Sequence, residues 1–117
     1  IKVVNDQYGS PTNTLDIANL ILHIIKDIKD FNFGIYHYTN EGNISWFDFA
    51  NSIYDLAKKN NILNKDCIVE PCNSKEYKTK AKRPKFSVLS KDKIKNDYKI
   101  NLIDYKESLN SFLKSLA

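Results

Sequence analysis

With 117 residues, the chain is long enough for one small domain around one core. Hydrophobic residues make up 42% and charged residues 27%, an ordinary globular balance, and no apolar run reaches the length that spans a bilayer. The net charge of +4 comes from lysines interleaved with acids, as in residues 26–30, which reads as a solvated surface and argues against a nucleic-acid groove.

The first residues, IKVVN, are β-rich and read as a strand. They look like the end of an element rather than the start of a protein, and the chain holds no methionine, so it is expected to be part of a longer polypeptide. Residues 6–12, DQYGSPT, form a loop punctuated by Gly9 and Pro11. Thr14 is the expected N-cap of a helix reaching about Ile28, with Asp16 in its first turn. Leu15, Ala18, Ile21, Leu22 and Ile25 follow helical spacing, and Ile17, Leu20 and Ile24 widen the apolar surface, so substantial burial is expected.

Residues 34–39, GIYHYT, are β-branched and aromatic and predict a second strand. After a turn at 40–43, Ser45 starts a helix with Asp48 three positions on, a short capping box. Trp46, Phe49, Ala50, Ile53 and Ala57 share one face, and Asn60 and Asn61 end it. Residues 67–70 predict a short strand, and residues 74–86 an ordered loop containing Pro84. Ser90 caps a short helix to about Asp97. Asp104, with Glu107, caps a last helix striped by Tyr105, Leu109, Phe112, Leu113 and Leu116. The expected fold is a compact α+β unit of about four helices and two or three short strands.

Candidate chemistry is sparse. Cys67 and Cys72 lack two further ligands at metal spacing and read as reduced thiols. Tyr54 and Lys58 match the Tyr-x-x-x-Lys spacing of a dehydrogenase pair, but the three glycines, Gly9, Gly34 and Gly42, make no phosphate-binding loop, so the two read as an ordinary helix-edge pair. Asp6, Gln7 and Thr12 offer a carboxylate, an amide and a hydroxyl on one turn before a helix. That turn could hold a polar ligand, or simply cap the helix.

Arg83 is the single arginine among 17 lysines and stands before Pro84. A guanidinium grips phosphate bidentately and an ammonium does not, so a lone arginine in a lysine-rich chain suggests that planar geometry matters. A structural salt bridge is the alternative. Tyr36, Tyr38, Trp46, Phe47, Phe49 and Tyr77 are candidate stacking rings, with Trp46 and Phe49 expected in the core.

Four segments in order resemble the dTDP-4-dehydrorhamnose reductases: VVNDQYGSPT from Val3 to Thr12, GIYHY from Gly34, SWFDFA from Ser45, and TKAKRPKFSVL from Thr79 to Leu89. The resemblance runs from residue 1 to the C-terminus. It implies the C-terminal, nucleotide-sugar-binding part of an NAD(P)-binding Rossmann-fold protein of the extended short-chain dehydrogenase/reductase type. The single domain at 1–117 would bind the sugar nucleotide. The Rossmann half, with its NADPH or NADH and the catalytic Tyr and Lys, would lie upstream.

On that resemblance Arg83 contacts the diphosphate or its surroundings, Asp6, Gln7 and Thr12 shape the loop near the nucleotide, and no catalytic, cofactor-binding or metal-binding residue lies in these 117 positions. The implied partners are a dTDP-sugar, the chain's own Rossmann half and a second copy in a homodimer, with no nucleic acid or membrane and a cytoplasmic location. The alternative is a non-catalytic regulatory module of the same fold, like the β subunit of methionine adenosyltransferase.

Overall fold

In the computed structural model, all residues except 28, 30, 31, 78 and 117 are described. The order is β1 (Lys2–Val4), β2 (Tyr8–Gly9), α1 (Thr14–Asp27), β3 (Ile44–Ser45), α2 (Trp46–Lys59), β4 (Glu70–Cys72), α3 (Asp92–Tyr98) and α4 (Tyr105–Lys114). β1 pairs parallel with β4, Lys2 opposite Glu70 and Val4 opposite Cys72. β2 pairs antiparallel with β3, Tyr8 opposite Ser45. The expected α+β class with four helices and a few short strands is what the chain forms.

The helix ends follow their capping chemistry. Ser45 Oγ accepts the Asp48 backbone N–H at 3.0 Å and donates to the Asp48 carboxylate at 2.7 Å. Asp104 accepts the Lys106 N–H at 2.8 Å and starts α4. At the far end of α2, Asn60 is the C-cap and Asn61 adopts a left-handed φ of 57°. The Asn60 amide donates to Leu56 O and to Asn110 Oδ1, joining α2 to α4. Phe49 and Tyr105 meet edge to face between the same helices, with ring centroids 6.3 Å apart.

Several expectations are corrected. The N-cap of α1 is Asn13, whose Oδ1 accepts the Leu15 N–H at 3.0 Å; Thr14 is already helical. The strand expected at 67–70 lies at Glu70–Cys72, because its register is set by the ladder with β1 rather than by the β-branched Ile68 and Val69. Residues 34–39 form no strand, having no neighbouring strand among the described residues to pair with. The α1 helix is not substantially buried: Leu15 is 62% exposed and Ile25 64%. The expected end of α1 at Ile28 lies outside the described residues. Ser90 does engage the start of α3, with its hydroxyl 3.0 Å from Asp92 Oδ2, but the cap position itself is Lys91.

The interior holds a polar hub as well as apolar side chains. Asn40 is fully buried. Its Oδ1 accepts the Asn13 N–H at 2.7 Å, and its Nδ2 donates to Asp16 Oδ2 at 2.6 Å and to Ile103 O at 3.2 Å. Ser108, also buried, donates to the same Asp16 oxygen and accepts from Asn13 Nδ2. The Asn40 amide therefore joins the start of α1 to the 99–104 connection, and Ser108 brings α4 to the same Asp16 carboxylate.

Beside it, Gly42 has a φ of +124°, and an added Cβ would lie 2.5 Å from the Tyr105 ring, so only glycine fits there. Glu41 continues the hub outward with ion pairs to Lys95 and Lys91, the latter 3.2 Å away and nearly buried.

Two outcomes test this hub. Asn40→Ala strands several buried polar groups and should cost about 3 kcal/mol in urea unfolding, and Asn40→Asp, though nearly isosteric, should cost at least as much at neutral pH by facing Asp16. The Lys95 ammonium, assisted by Lys91, holds the Glu41 carboxyl below the usual glutamate range. Because the folded value is the lower one, the stabilisation is present above the unfolded value and lost as pH falls through the folded value. The stability difference between wild type and Glu41→Gln should therefore be largest near neutrality and shrink as pH falls below the usual glutamate range.

Candidate functional site

The loop between β1 and α1 runs as a spine along the molecule, and the residues picked out in the sequence lie on or beside it. At one end, Asp6 Oδ1 accepts from both the Ser74 backbone N–H at 3.0 Å and the Ser74 hydroxyl at 2.6 Å. Gln7 Nε2 donates to the same hydroxyl at 3.0 Å. The Ser74 hydroxyl is the main reason that the Asp6 carboxyl is held below the usual range; burial opposes it, while the Ser74 N–H and Lys85 add to it. Asp6 and Gln7 thus act together on one serine, pinning the start of the 73–87 segment.

The next residue pins its end. Tyr8 N donates to Lys85 O at 2.8 Å, and Tyr8 O accepts from Ser87 N at 2.9 Å and Ser87 Oγ at 3.1 Å. Gly9 is buried against Ser87 Oγ and the Trp46 ring, where an added Cβ would press to 3.1 Å from the hydroxyl. The Trp46 N–H donates to Gln7 O at 3.3 Å, placing the start of α2 against the same spine.

Between these two anchors the chain loops out, carrying Lys80, Lys82, Arg83 and Lys85, all exposed. Among the described residues Arg83 makes no hydrogen bond or ion pair, so its guanidinium is not spent on a structural bridge. Exposed rings stand beside the anchors: Tyr8 at 42%, Phe86 at 61% and Trp46 at 40% exposure. Trp46 was expected in the core. It packs edge to face on Phe49 with centroids 6.1 Å apart, and its remaining surface is open.

Cations held on a loop fixed at both ends, next to flat apolar surfaces, form a set suited to an anionic ligand carrying rings. Asp6 and Gln7 meet at Ser74, and Arg83 lies further along the segment that Ser74 opens, with no hydrogen bond or ion pair to either among the described residues. Thr12 stands apart. Its hydroxyl donates to Ser10 O at 3.0 Å, and it lines a separate cavity of about 320 Å³ with Phe49, Ile53, Tyr105 and Leu109.

Sequence reasoning missed Ser74, Tyr8 and Phe86. Ser74 sits in a segment without periodicity, and only its partners mark it. Tyr8 and Phe86 were legible as ring-bearing neighbours of Gln7 and Pro84, but their pairing is a long-range bridge. The other candidate pair, Tyr54 and Lys58, converges on Asp66: the phenol donates to Asp66 Oδ1 at 3.3 Å, and the ammonium lies 2.8 Å from the same oxygen. Both side chains are thus tied to one exposed carboxylate, which raises the Lys58 pKa, as in an ordinary helix-edge pair.

Comparison with known proteins gives a consistent picture. The family model described as RmlD substrate binding domain matches residues 1–117. A dTDP-4-dehydrorhamnose reductase of Aggregatibacter actinomycetemcomitans is 37% identical over 93% of this chain and 38% of its own length. The enzyme of that name from Escherichia coli K12 is 30% identical over 99% of the chain and 40% of its own length.

Among solved structures, a dTDP-4-dehydrorhamnose reductase of Clostridium acetobutylicum superposes with a TM-score of 0.85 at 37% identity, covering 99% of this chain and 38% of that one. The Bacillus anthracis reductase, solved in complex with NADP, gives 0.83 at 31% identity over 98% of this chain and 38% of that one. The chain therefore spans about two fifths of the length of the relatives it matches. Matched along its whole length, the chain belongs to the RmlD substrate binding domain family.

Proposed function

We propose that this chain is the nucleotide-sugar-binding part of a dTDP-4-dehydrorhamnose reductase, and that the full-length protein reduces the C4 ketone of dTDP-4-dehydro-L-rhamnose to dTDP-L-rhamnose. The observation that carries the reading is the family match over all 117 residues, joined to relatives at 37% identity that bear the reductase name. The geometry supports it through the cationic loop at 79–87, held at both ends by the residues 6–8 that precede α1. Relatives named as reductases do not favour the regulatory-module alternative.

The chain's own residues fit binding and not cofactor chemistry. Its glycines, Gly9, Gly34 and Gly42, lie in three separate segments and build no phosphate cradle, so NADPH or NADH belongs to the rest of the protein. Hydride and proton would both reach C4 and its oxygen from there. The part played here is positioning: holding the diphosphate and base so that the ketone meets the hydride donor in a reactive arrangement.

Arg83 supplies the bidentate anion contact. Asp6 and Gln7 act through Ser74 to fix the loop that carries it, and Thr12 shapes the turn into α1. The reaction would run in the cytoplasm, with no membrane or nucleic acid as partner; no described helix is long and apolar enough to cross a membrane. The full-length protein would dock this part on its Rossmann half, with a homodimer as a further level of assembly.

In the full-length protein, Arg83→Lys should lower kcat/KM for the dTDP-sugar about tenfold while leaving NADPH binding unchanged, because an ammonium keeps the charge and loses the fork. Steady-state kinetics with a separate NADPH titration decides it. Unchanged sugar kinetics would remove Arg83 from the binding site. The 117 residues alone should show no NADPH-dependent ketone reduction.

A further inference from the structure

Residues 85–87 run beside β2 as a short edge strand would. Tyr8 N donates to Lys85 O at 2.8 Å and Ser87 N donates to Tyr8 O at 2.9 Å, which makes Tyr8 and Phe86 a parallel bridge. On its other side Tyr8 is paired with Ser45 of β3. Side chains alternate between the two faces of such an arrangement, and directly paired residues share a face. Tyr8 and Phe86 therefore project side by side from backbones about 4.8 Å apart. Gly9 turns the other way, and a Cβ on it would lie 3.7 Å from the Trp46 ring. Trp46 thus belongs to the opposite face, and the Tyr8 and Phe86 rings stand without it.

The fold makes little use of these two rings. Tyr8 is 42% exposed and Phe86 61%. Among the described residues neither enters an aromatic pair; those pairs are Tyr36 with Tyr98, Trp46 with Phe49, and Phe49 with Tyr105. The Tyr8 hydroxyl likewise has no hydrogen-bond partner among the described residues. Two large rings side by side on an outer face mark a contact surface.

The neighbouring charges narrow what that contact is. Lys82, Arg83 and Lys85 lead directly into Phe86 and are all exposed. Three residues of extended chain span at most about 11 Å, so the Arg83 guanidinium and the Phe86 ring can meet one small ligand. An apolar protein surface laid over this region would strip water from the cations and return nothing for it. An anion that carries a flat ring satisfies both halves of the surface. In a sugar nucleotide the diphosphate supplies the charge, the base supplies the ring, and a pentose bridges the gap between them.

We propose that Tyr8 and Phe86 form the nucleoside subsite: the base lies face-on against the Phe86 ring, and the Tyr8 ring walls the pentose, while Arg83 holds the diphosphate. This rests on the reading above, in which the chain binds a sugar nucleotide, and it divides the work of binding between two sets of residues. Stacking on an aromatic face is tolerant of base identity. The subsite therefore supplies affinity for the nucleoside rather than a choice between pyrimidines. It is remote from the reacting ketone, so its loss should appear in KM and not in kcat.

The test uses the full-length protein, with dTDP, UDP and inorganic diphosphate as probes. Phe86→Ala should raise the Kd of dTDP and of UDP about tenfold or more, and Phe86→Tyr should stay within about twofold of wild type. Both variants should leave the NADPH affinity and the inhibition by inorganic diphosphate as in wild type. With the dTDP-sugar as substrate, Phe86→Ala should raise KM at unchanged kcat. Hydroxyl-radical labelling of Tyr8 and Phe86 should be high in the ligand-free protein, fall when dTDP is added, and not fall with inorganic diphosphate.

Unchanged dTDP affinity in Phe86→Ala would overturn the proposal. So would rings already protected without ligand, since the rest of the protein would then cover them. An equal loss for dTDP and for inorganic diphosphate would overturn it too, by making Phe86 a support for the Arg83 loop. Ring protection by dTDP in a protein without reductase activity would remove the functional reading and leave the subsite standing. Full reductase activity with a neutral Phe86→Ala would do the reverse.

Discussion

Most of this structure hangs on one buried amide. Asn40 has four hydrogen-bonding positions and uses three of them on groups from separate parts of the chain: the N–H that opens α1, the carboxylate of Asp16 and the carbonyl of Ile103. A buried amide is costly to strand and inexpensive when satisfied, so the arrangement is close to all-or-none. It sets where α1 begins and how α4 lies against it. Through the spine from Asn13 back to Asp6 it also fixes the base on which the 73–87 segment is mounted.

That division explains the roles of neighbouring polar residues. Asp6 and Gln7 look like ligand-facing groups in the sequence, yet their short bonds go to Ser74. A carboxylate held low by two donors from one serine is well suited to fixing a loop. Arg83, by contrast, has an exposed head group and no partner among the described residues, as a residue waiting for an anion should. Its backbone surroundings are nonetheless constrained: Pro84 follows it, and Lys85 and Ser87 are zipped to Tyr8. An exposed side chain on a segment anchored at both ends would, under the proposed function, meet a diphosphate without first ordering the whole loop, which reduces the entropy lost on binding.

The sequence carried the local features well and the long-range ones poorly. Ser45, Asp48 and Asp104 mark helix starts because a cap is a matter of three or four consecutive residues. Asn40 gave no such sign: its partners lie 24 to 63 positions away, and an asparagine in a turn looks the same whether it is exposed or central. The Arg83 segment was legible through its odd residue choice and its resemblance to the reductases, and Ser74 was invisible for want of any pattern. The strand at 67–70 slipped because β-branched residues report propensity, while register belongs to the partner strand.

The two remaining misreadings, α1 and residues 34–39, share a cause. Both were read correctly as to chemistry: an apolar helix that ought to be covered, and a β-branched segment that ought to be paired. Neither has its counterpart among the described residues. The core is correspondingly slight for 117 residues, with Ala57, Cys72, Ile94, Tyr98, Tyr105 and Leu113 as its buried apolar members. A second apolar surface on the outside of α1 makes sense only if covering it supplies stability that the small core does not. A sequence pattern reports what an element needs, and the described residues of this chain do not supply it for α1 or for residues 34–39.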